Sequence, residues 1–214
     1  GDIHIMPSNE ESVETKLQRI ASKARKDSRC RFTSLFHLMN RELLWECFWR
    51  LKNSRASGID RITKEQYAAN LMDNLDNLIG RLHRMAYIPQ PVRRVYIPKA
   101  GSDKMRPLGI PVLEDKLVQA AMSKILQAIY EQDFIEDSYG FRPNRSCHDA
   151  LRALNQTVKF HGTRFIVEAD IKGFFDNVDH DQLMAFLGHR IADKRMTRYI
   201  KRFLKAGIQE DGRH

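Results

Sequence analysis

"VEADIKGFFDNVDH", residues 167–180, follows "RFI" and begins as an apolar, β-branched run, then turns acidic, with Glu168, Asp170, Asp176 and Asp179 among its residues. Phe165, Ile166 and Val167 predict a short strand that delivers Asp170 at its end. A carboxylate at the end of a buried strand loses water on one side, so it must be hydrogen-bonded, paired or bound to a cation. Two readings follow: Asp170 caps the next turn, or it ligates a metal ion. A calcium loop does not fit, because Gln182 stands where that loop needs glycine and Gly188 where it needs a bidentate glutamate. Asp176 and Asp179 read as turn and capping residues, His180 as a helix start, Phe174 as a core aromatic and Glu168 as a strand neighbour.

The surrounding chain is basic. Its 214 residues carry 36 Lys and Arg against 27 Asp and Glu, a formal net charge of +9, which favours an anionic partner, nucleic acid or an acidic membrane surface. The cations fall in three stretches. The first, residues 16–31, includes Lys23, Arg25, Lys26 and Arg29; the second runs from Arg81 to Arg106; the third runs from Arg190 to Lys205. Taken singly, each stretch could be a solvated helix face, but together they suggest an extended polyanion. Cys30, Cys47 and Cys147 form no metal or disulfide pattern, which predicts buried thiols in a reducing, cytoplasmic setting. No apolar run is long enough for a membrane span, and no secretory signal is present.

Helical spacing dominates the first part. "RELLWECFWRLKN" sets Leu44, Cys47, Phe48 and Leu51 on one face with Asn40 as N-cap, and Trp45 and Trp49 read as core or interface residues. Thr63 and Gln66 form a capping box that opens a helix to about Met85. "PVRRVYIPK" and "KMRPLGIP", joined by "AGSD", predict a β-hairpin bearing Arg94, Lys99, Lys104 and Arg106, cations that could also merely guard an exposed edge. A core-facing helix is expected over residues 113–134, a loop at "SYGFRPNRS", a helix capped by Ser146, and two closing helices about "DQLMAFLGHR" and "DKRMTRYIKRFLKAG".

The order "VRRVYIPKAGSDKMRPLGIPVLEDKLVQAAM", "SYGFRPNRSCHDAL", "ADIKGFFDNVDHDQL" resembles the reverse transcriptases encoded by group II introns, the bifunctional polymerase and maturase family, over roughly residues 40–190. The resemblance implies an α+β fold: mainly helical fingers with a β-hairpin, leading into a truncated reverse-transcriptase palm of the right-hand polymerase fold. It divides the chain into a basic N-terminal extension at 1–40, fingers at 41–160 and a partial palm at 161–214. By the same likeness Asp170 is the first catalytic aspartate and a ligand to two Mg²⁺ ions, and the Ile171 carbonyl completes one shell. Two-metal chemistry of this kind places the cations about 3.5–4 Å apart. Phe175 matches the steric gate that favours dNTPs over ribonucleotides, and Lys99 and Arg106 match the pair that closes over the triphosphate. Arg142 and Arg145 either contact the template backbone or brace their loop.

The family's Pro-Gln-Gly segment and Tyr-x-Asp-Asp hairpin do not occur in this sequence. An inactive fragment of an RNA-directed DNA polymerase is therefore expected. Its implied partners are intron RNA, an RNA template with a DNA primer, and dNTPs, and exposed palm surface would favour a homodimer. The competing reading is an RNA-binding splicing cofactor, a maturase whose main role is recognition of structured RNA. A viral-type RNA polymerase is disfavoured by Phe175.

Overall fold

Asn40 accepts the N–H of Leu43 at 3.0 Å and starts helix α2, Arg41–Arg50, whose Leu43, Leu44, Cys47 and Phe48 are buried. In the computed structural model, which describes residues 11–53, 56–98, 101 and 103–210, this helix contributes to the core of an α+β fold. Around it stand α1 (Val13–Lys26), α3 (Lys64–Ala68), α4 (Leu71–His83) and α5 (Leu113–Tyr130). Further along come α6 (Cys147–Phe160), α7 (His180–Gly188) and α8 (Lys194–Leu204). One hydrophobic core draws Leu17 from α1, Leu44 from α2, Leu78 from α4, Leu117 and Ile125 from α5, and Met196 and Tyr199 from α8. The amphipathic spacing of α5 explains its central position, because Leu117, Ala121 and Ile125 fall on one face and are fully buried.

The capping box of Thr63 and Gln66 is present, but the expected single helix to residue 85 is two. Asn70 leaves helical dihedrals between α3 and α4, and Asn74 donates its side-chain amide to the Tyr67 carbonyl at 2.9 Å, satisfying an acceptor that the break orphans. The hairpin forms as expected from β1 (Val92–Pro98) and β2 (Met105–Ile110), antiparallel, with Ile97 opposite Arg106 and Val95 opposite Leu108. A two-residue strand β3, Ile208–Gln209, adds in parallel to β1, giving the order β2-β1-β3. Pro107 is tolerated because β2 is an edge strand.

Gly58 does more than interrupt a helical pattern. A Cβ at this position would stand 2.5 Å from the Val112 backbone nitrogen, so the loop after α2 packs backbone to backbone against the entry of α5. Two buried groups tie the start of α8 to the rest. Asp193 caps α8 by accepting the N–H groups of Arg195 and Met196, and also accepts those of Leu35 and Phe36 at 2.7 and 2.8 Å. Burial pushes the Asp193 carboxyl up, but these donors together hold it below the ordinary carboxylate value. Arg190 donates to the carbonyls of Ala24, Asp27 and Cys30 and pairs with Asp133 at 3.0 Å.

Three expectations change. Residues 163–170 form no strand: Phe165, Ile166 and Val167 are 86%, 68% and 91% exposed. A strand needs a ladder partner, and no described residue pairs with this segment. Cys147 is exposed at the start of α6 and Cys30 is partly exposed, so only Cys47 is a buried thiol, its pKa raised to about 11 by burial. Phe174 is half exposed and packs edge-on against Phe175, because no buried cluster of the described residues includes this turn.

Candidate functional site

The turn after Asp170 is closed without Asp170. Gly173 sits at φ +61°, its carbonyl accepts from the Asp176 and Asn177 backbone N–H groups, and the Asn177 side chain donates to the same oxygen at 2.8 Å. A short 3₁₀ turn, Phe175–Asn177, follows, and Asp179 then caps α7 by accepting from Asp181 and Gln182 at 2.9 Å. The capping role weighed for Asp170 is thus filled by its neighbours, and Asp170 is exposed with no hydrogen bond or ion pair to another described residue. Asp179 and His180 take the places expected of them. Phe175 is 82% exposed beside this carboxylate in sequence.

Asp170 and the Ile171 carbonyl offer oxygen donors of the hard type that Mg²⁺ takes, but these two do not make an octahedral shell. Among the described residues no group of three or more His, Cys, Asp or Glu side chains could hold a metal ion. The residues present therefore do not by themselves fit a resident Mg²⁺.

Arg106 lies exposed on β2, and the register puts it on the same face as Val95, Ile97 and Leu108. Alternation turns Arg94 to the opposite face of the hairpin. Lys99 lies outside the described residues. No hydrogen bond or ion pair joins Arg106 to Asp170 among the described residues.

Arg142 and Arg145 brace the loop before α6. Arg142, with 6% of its side chain exposed, donates to the carbonyls of Ile135 and Ser138 at 2.9 and 2.7 Å and pairs with Glu131. Arg145 pairs with Glu136 and donates to the Glu136 carbonyl at 3.1 Å, and its guanidinium lies over Tyr139. In the first basic stretch, Lys23, Lys26 and Arg29 are exposed at the end of α1; Lys23 stands over the Phe32 ring, and Arg25 donates to Gln132 at 2.8 Å. Other cations of the basic stretches are structural. Arg81 pairs with Glu114, Arg93 holds the Ser57 carbonyl, Arg202 holds the Tyr87 carbonyl, and Arg190 is buried.

The base of the hairpin has an anchor that the sequence reading missed. Asp115, 1% exposed, accepts from the Tyr87 hydroxyl at 2.5 Å and the Gln90 backbone N–H at 2.9 Å, fixing the segment that enters β1. Burial pushes its carboxyl up despite these two donors. "LEDK" presents Asp115 as one more charge near a helix N-terminus, and only the fold turns it inward. An apolar cavity of about 500 Å³ lined by Met122, Leu126, Tyr130, Ile200 and Phe203 lies between α5 and α8. Another of about 650 Å³, of mixed lining, lies by Asp60, Tyr67 and Glu114. Neither is lined by Asp170, Phe175 or Arg106.

The sequence that builds this basic hairpin and the exposed aspartate before an aromatic turn matches a known family. The family described as "Reverse transcriptase (RNA-dependent DNA polymerase)" matches residues 97–214, and the chain belongs to it. Its relatives within that family are intron proteins among others. It is 39% identical over 196 residues to "Group II intron-encoded protein LtrA" of Lactococcus lactis subsp. cremoris, covering 91% of this chain and 32% of that protein. It is 40% identical over 159 residues to "Protein YkfC" of Escherichia coli K12, covering 73% of this chain and 42% of that one. "Nuclear intron maturase 1, mitochondrial" of Arabidopsis thaliana is 30% identical over 95 residues, 44% of this chain and 13% of the maturase. The chain thus spans about a third of the length of the LtrA relative, 32%. No helix among the described residues is long and apolar enough to cross a membrane.

Proposed function

We propose that this chain forms the N-terminal extension (1–40), fingers (41–160) and early palm (161–214) of a group II intron-encoded RNA-directed DNA polymerase that also binds its intron RNA. The observation that carries the reading is Asp170, held after an apolar run with its carboxylate unspent on the turn, in the position where the family's catalytic aspartate falls. In this reading Asp170 and the Ile171 carbonyl would hold only part of the shell of two Mg²⁺ ions, which would supply the charge neutralisation that phosphoryl transfer needs. Carboxylates from elsewhere must complete that set, so the 214-residue chain alone does not extend a primer. Phe175 acts as the gate against the ribose 2′-OH. Arg106, with Lys99, neutralises the triphosphate of the incoming dNTP. Arg142 and Arg145 shape the loop beside the template.

The test is Asp170→Asn in the longer parent protein, assayed with an RNA template, a DNA primer and dNTPs. Primer extension should fall to background while intron RNA binding is unchanged. Retained extension would overturn the assignment of Asp170.

The maturase reading is favoured by a separate observation, the exposed cations at the end of α1, which face solvent whether or not the polymerase site is complete. In that reading Asp170→Asn leaves intron splicing near the parent level. A homodimer is proposed from the apolar side chains exposed at Leu151, Phe160 and Phe165, and light scattering that finds only monomer at high concentration would remove it.

A further inference from the structure

Two basic stretches are joined by hydrogen bonds that span 160 and 166 residues of sequence, and so meet at one edge of the fold. Phe32 and Ile191 form an isolated parallel bridge, with the Phe32 N–H on the Arg190 carbonyl and the Ala192 N–H on the Phe32 carbonyl, both at 2.8 Å. Arg190 ties down the last carbonyls of α1, and Asp193 takes the Leu35 and Phe36 N–H groups. The segment that carries the exposed Lys23, Lys26, Arg29 and Arg31 is thereby tied to residues 190–193, which lead into α8.

That helix is the most strongly polarised of the longer helices among the described residues. Met196 and Tyr199 bury one side, while Lys194, Arg198, Lys201 and Lys205, all exposed, recur at i, i+4, i+7 and i+11 and so fall on one line. At 1.5 Å per residue the line is about 16 Å long. The helix Lys194–Leu204 contains no acidic residue, and none of these four cations forms an ion pair among the described residues. Their neighbours Arg190 and Arg202 are by contrast consumed by carbonyls and a carboxylate.

We propose that the α8 line and the end of α1 form one surface that binds the phosphate backbone of double-stranded RNA. The proposal rests on the reading of the chain as an RNA-binding protein and adds a second, discontinuous element to it. A duplex is favoured over single-stranded RNA because the line carries no exposed aromatic side chain on which bases could stack, so it reads phosphates and helix shape. A membrane surface is disfavoured because the apolar side of α8 is spent in the core and cannot insert.

The experiment titrates a fluorescent RNA duplex of about 16 base pairs against the 214-residue chain at several salt concentrations. The combined variant Lys194→Gln, Arg198→Gln, Lys201→Gln, Lys205→Gln should make the slope of log K against log salt shallower by about 2–4 and weaken binding at least roughly tenfold near 0.1 M salt. The charge-conserving set, Lys194→Arg, Arg198→Lys, Lys201→Arg, Lys205→Arg, should keep the parent slope, and circular dichroism should show both sets folded. The set Lys23→Gln, Lys26→Gln, Arg29→Gln should reduce the slope separately, and the two neutral sets together should sum. An unchanged slope in the α8 set alone overturns the α8 surface and leaves RNA binding by α1 standing. No binding of any RNA overturns both. Tighter, α8-dependent binding to phosphatidylserine vesicles than to the duplex overturns the choice of partner.

Discussion

The helices that enclose Leu44, Leu117 and Tyr199 are held by contacts from distant parts of the chain, whereas α6 and the segment around Asp170 are held by hydrogen bonds between near neighbours. α1, α2, α4, α5 and α8 each contribute fully buried side chains, but α6 buries none despite an amphipathic sequence, and Val167 is 91% exposed. What local structure residues 146–188 possess comes from the box of Ser146 and Asp149, the Gly173–Asn177 turn and the Asp179 cap. Strong capping signals therefore specify helices that the described fold does not bury. The proposed catalytic carboxylate lies in this exposed region.

The widest contrast should appear on truncating leucines. Leu117→Ala should lower stability to urea by about 2–5 kcal/mol, while Leu151→Ala on α6 should stay within about 0.5 kcal/mol; equal losses would show that α6 shares the core. Next, Asp193→Ala orphans the Leu35 and Phe36 N–H groups and should cost about 2–3 kcal/mol, measured the same way. Because the folded Asp193 pKa is depressed, its contribution is present above the ordinary carboxylate value and fades as pH falls through the folded one. The parent should thus lose more stability than Asp193→Ala as pH drops below about 4. Asp115 has the opposite sign: its raised folded pKa makes stability fall as pH rises from the ordinary value toward the raised one.

Gly58→Ala should follow, at about 1–3 kcal/mol, since the new methyl meets the Val112 backbone, which has little room to give. The smallest effect belongs to the exposed region. Asp179→Ala removes the α7 cap and should cost about 1 kcal/mol, read as lost helicity by circular dichroism with the core melting transition unmoved. A core transition that shifts with Asp179 would join the two regions into one cooperative unit.

Much of this architecture is readable from adjacent residues. The Asn40 cap, the Thr63 and Gln66 box, the hairpin about its glycine turn, the face of α5 and the Ser146 cap all stand where the spacing puts them. Each depends on groups within a few residues of one another. The misplaced elements needed distant partners. Phe165–Val167 has strand composition but no neighbour to pair with, and Asn70 breaks a helix whose continuation was a matter of pattern alone. The candidate site divides the same way: Asp170 and Phe175 were identified by motif, but that the turn closes on Gly173 and leaves Asp170 unspent is a fact of geometry.

By itself the sequence determined most of the helices, the hairpin, the basic character and the family, since caps, periodicities and motif order are written in short spans of chain. Tertiary structure alone decided which charges are free. Arg190, Arg142, Asp193 and Asp115 look like surface groups in sequence, yet packing buries them against carbonyls, N–H groups and a hydroxyl. A charge can serve a partner only where the fold has not already used it, and desolvation with the hydrogen bonds that offset it is a property of three-dimensional neighbours.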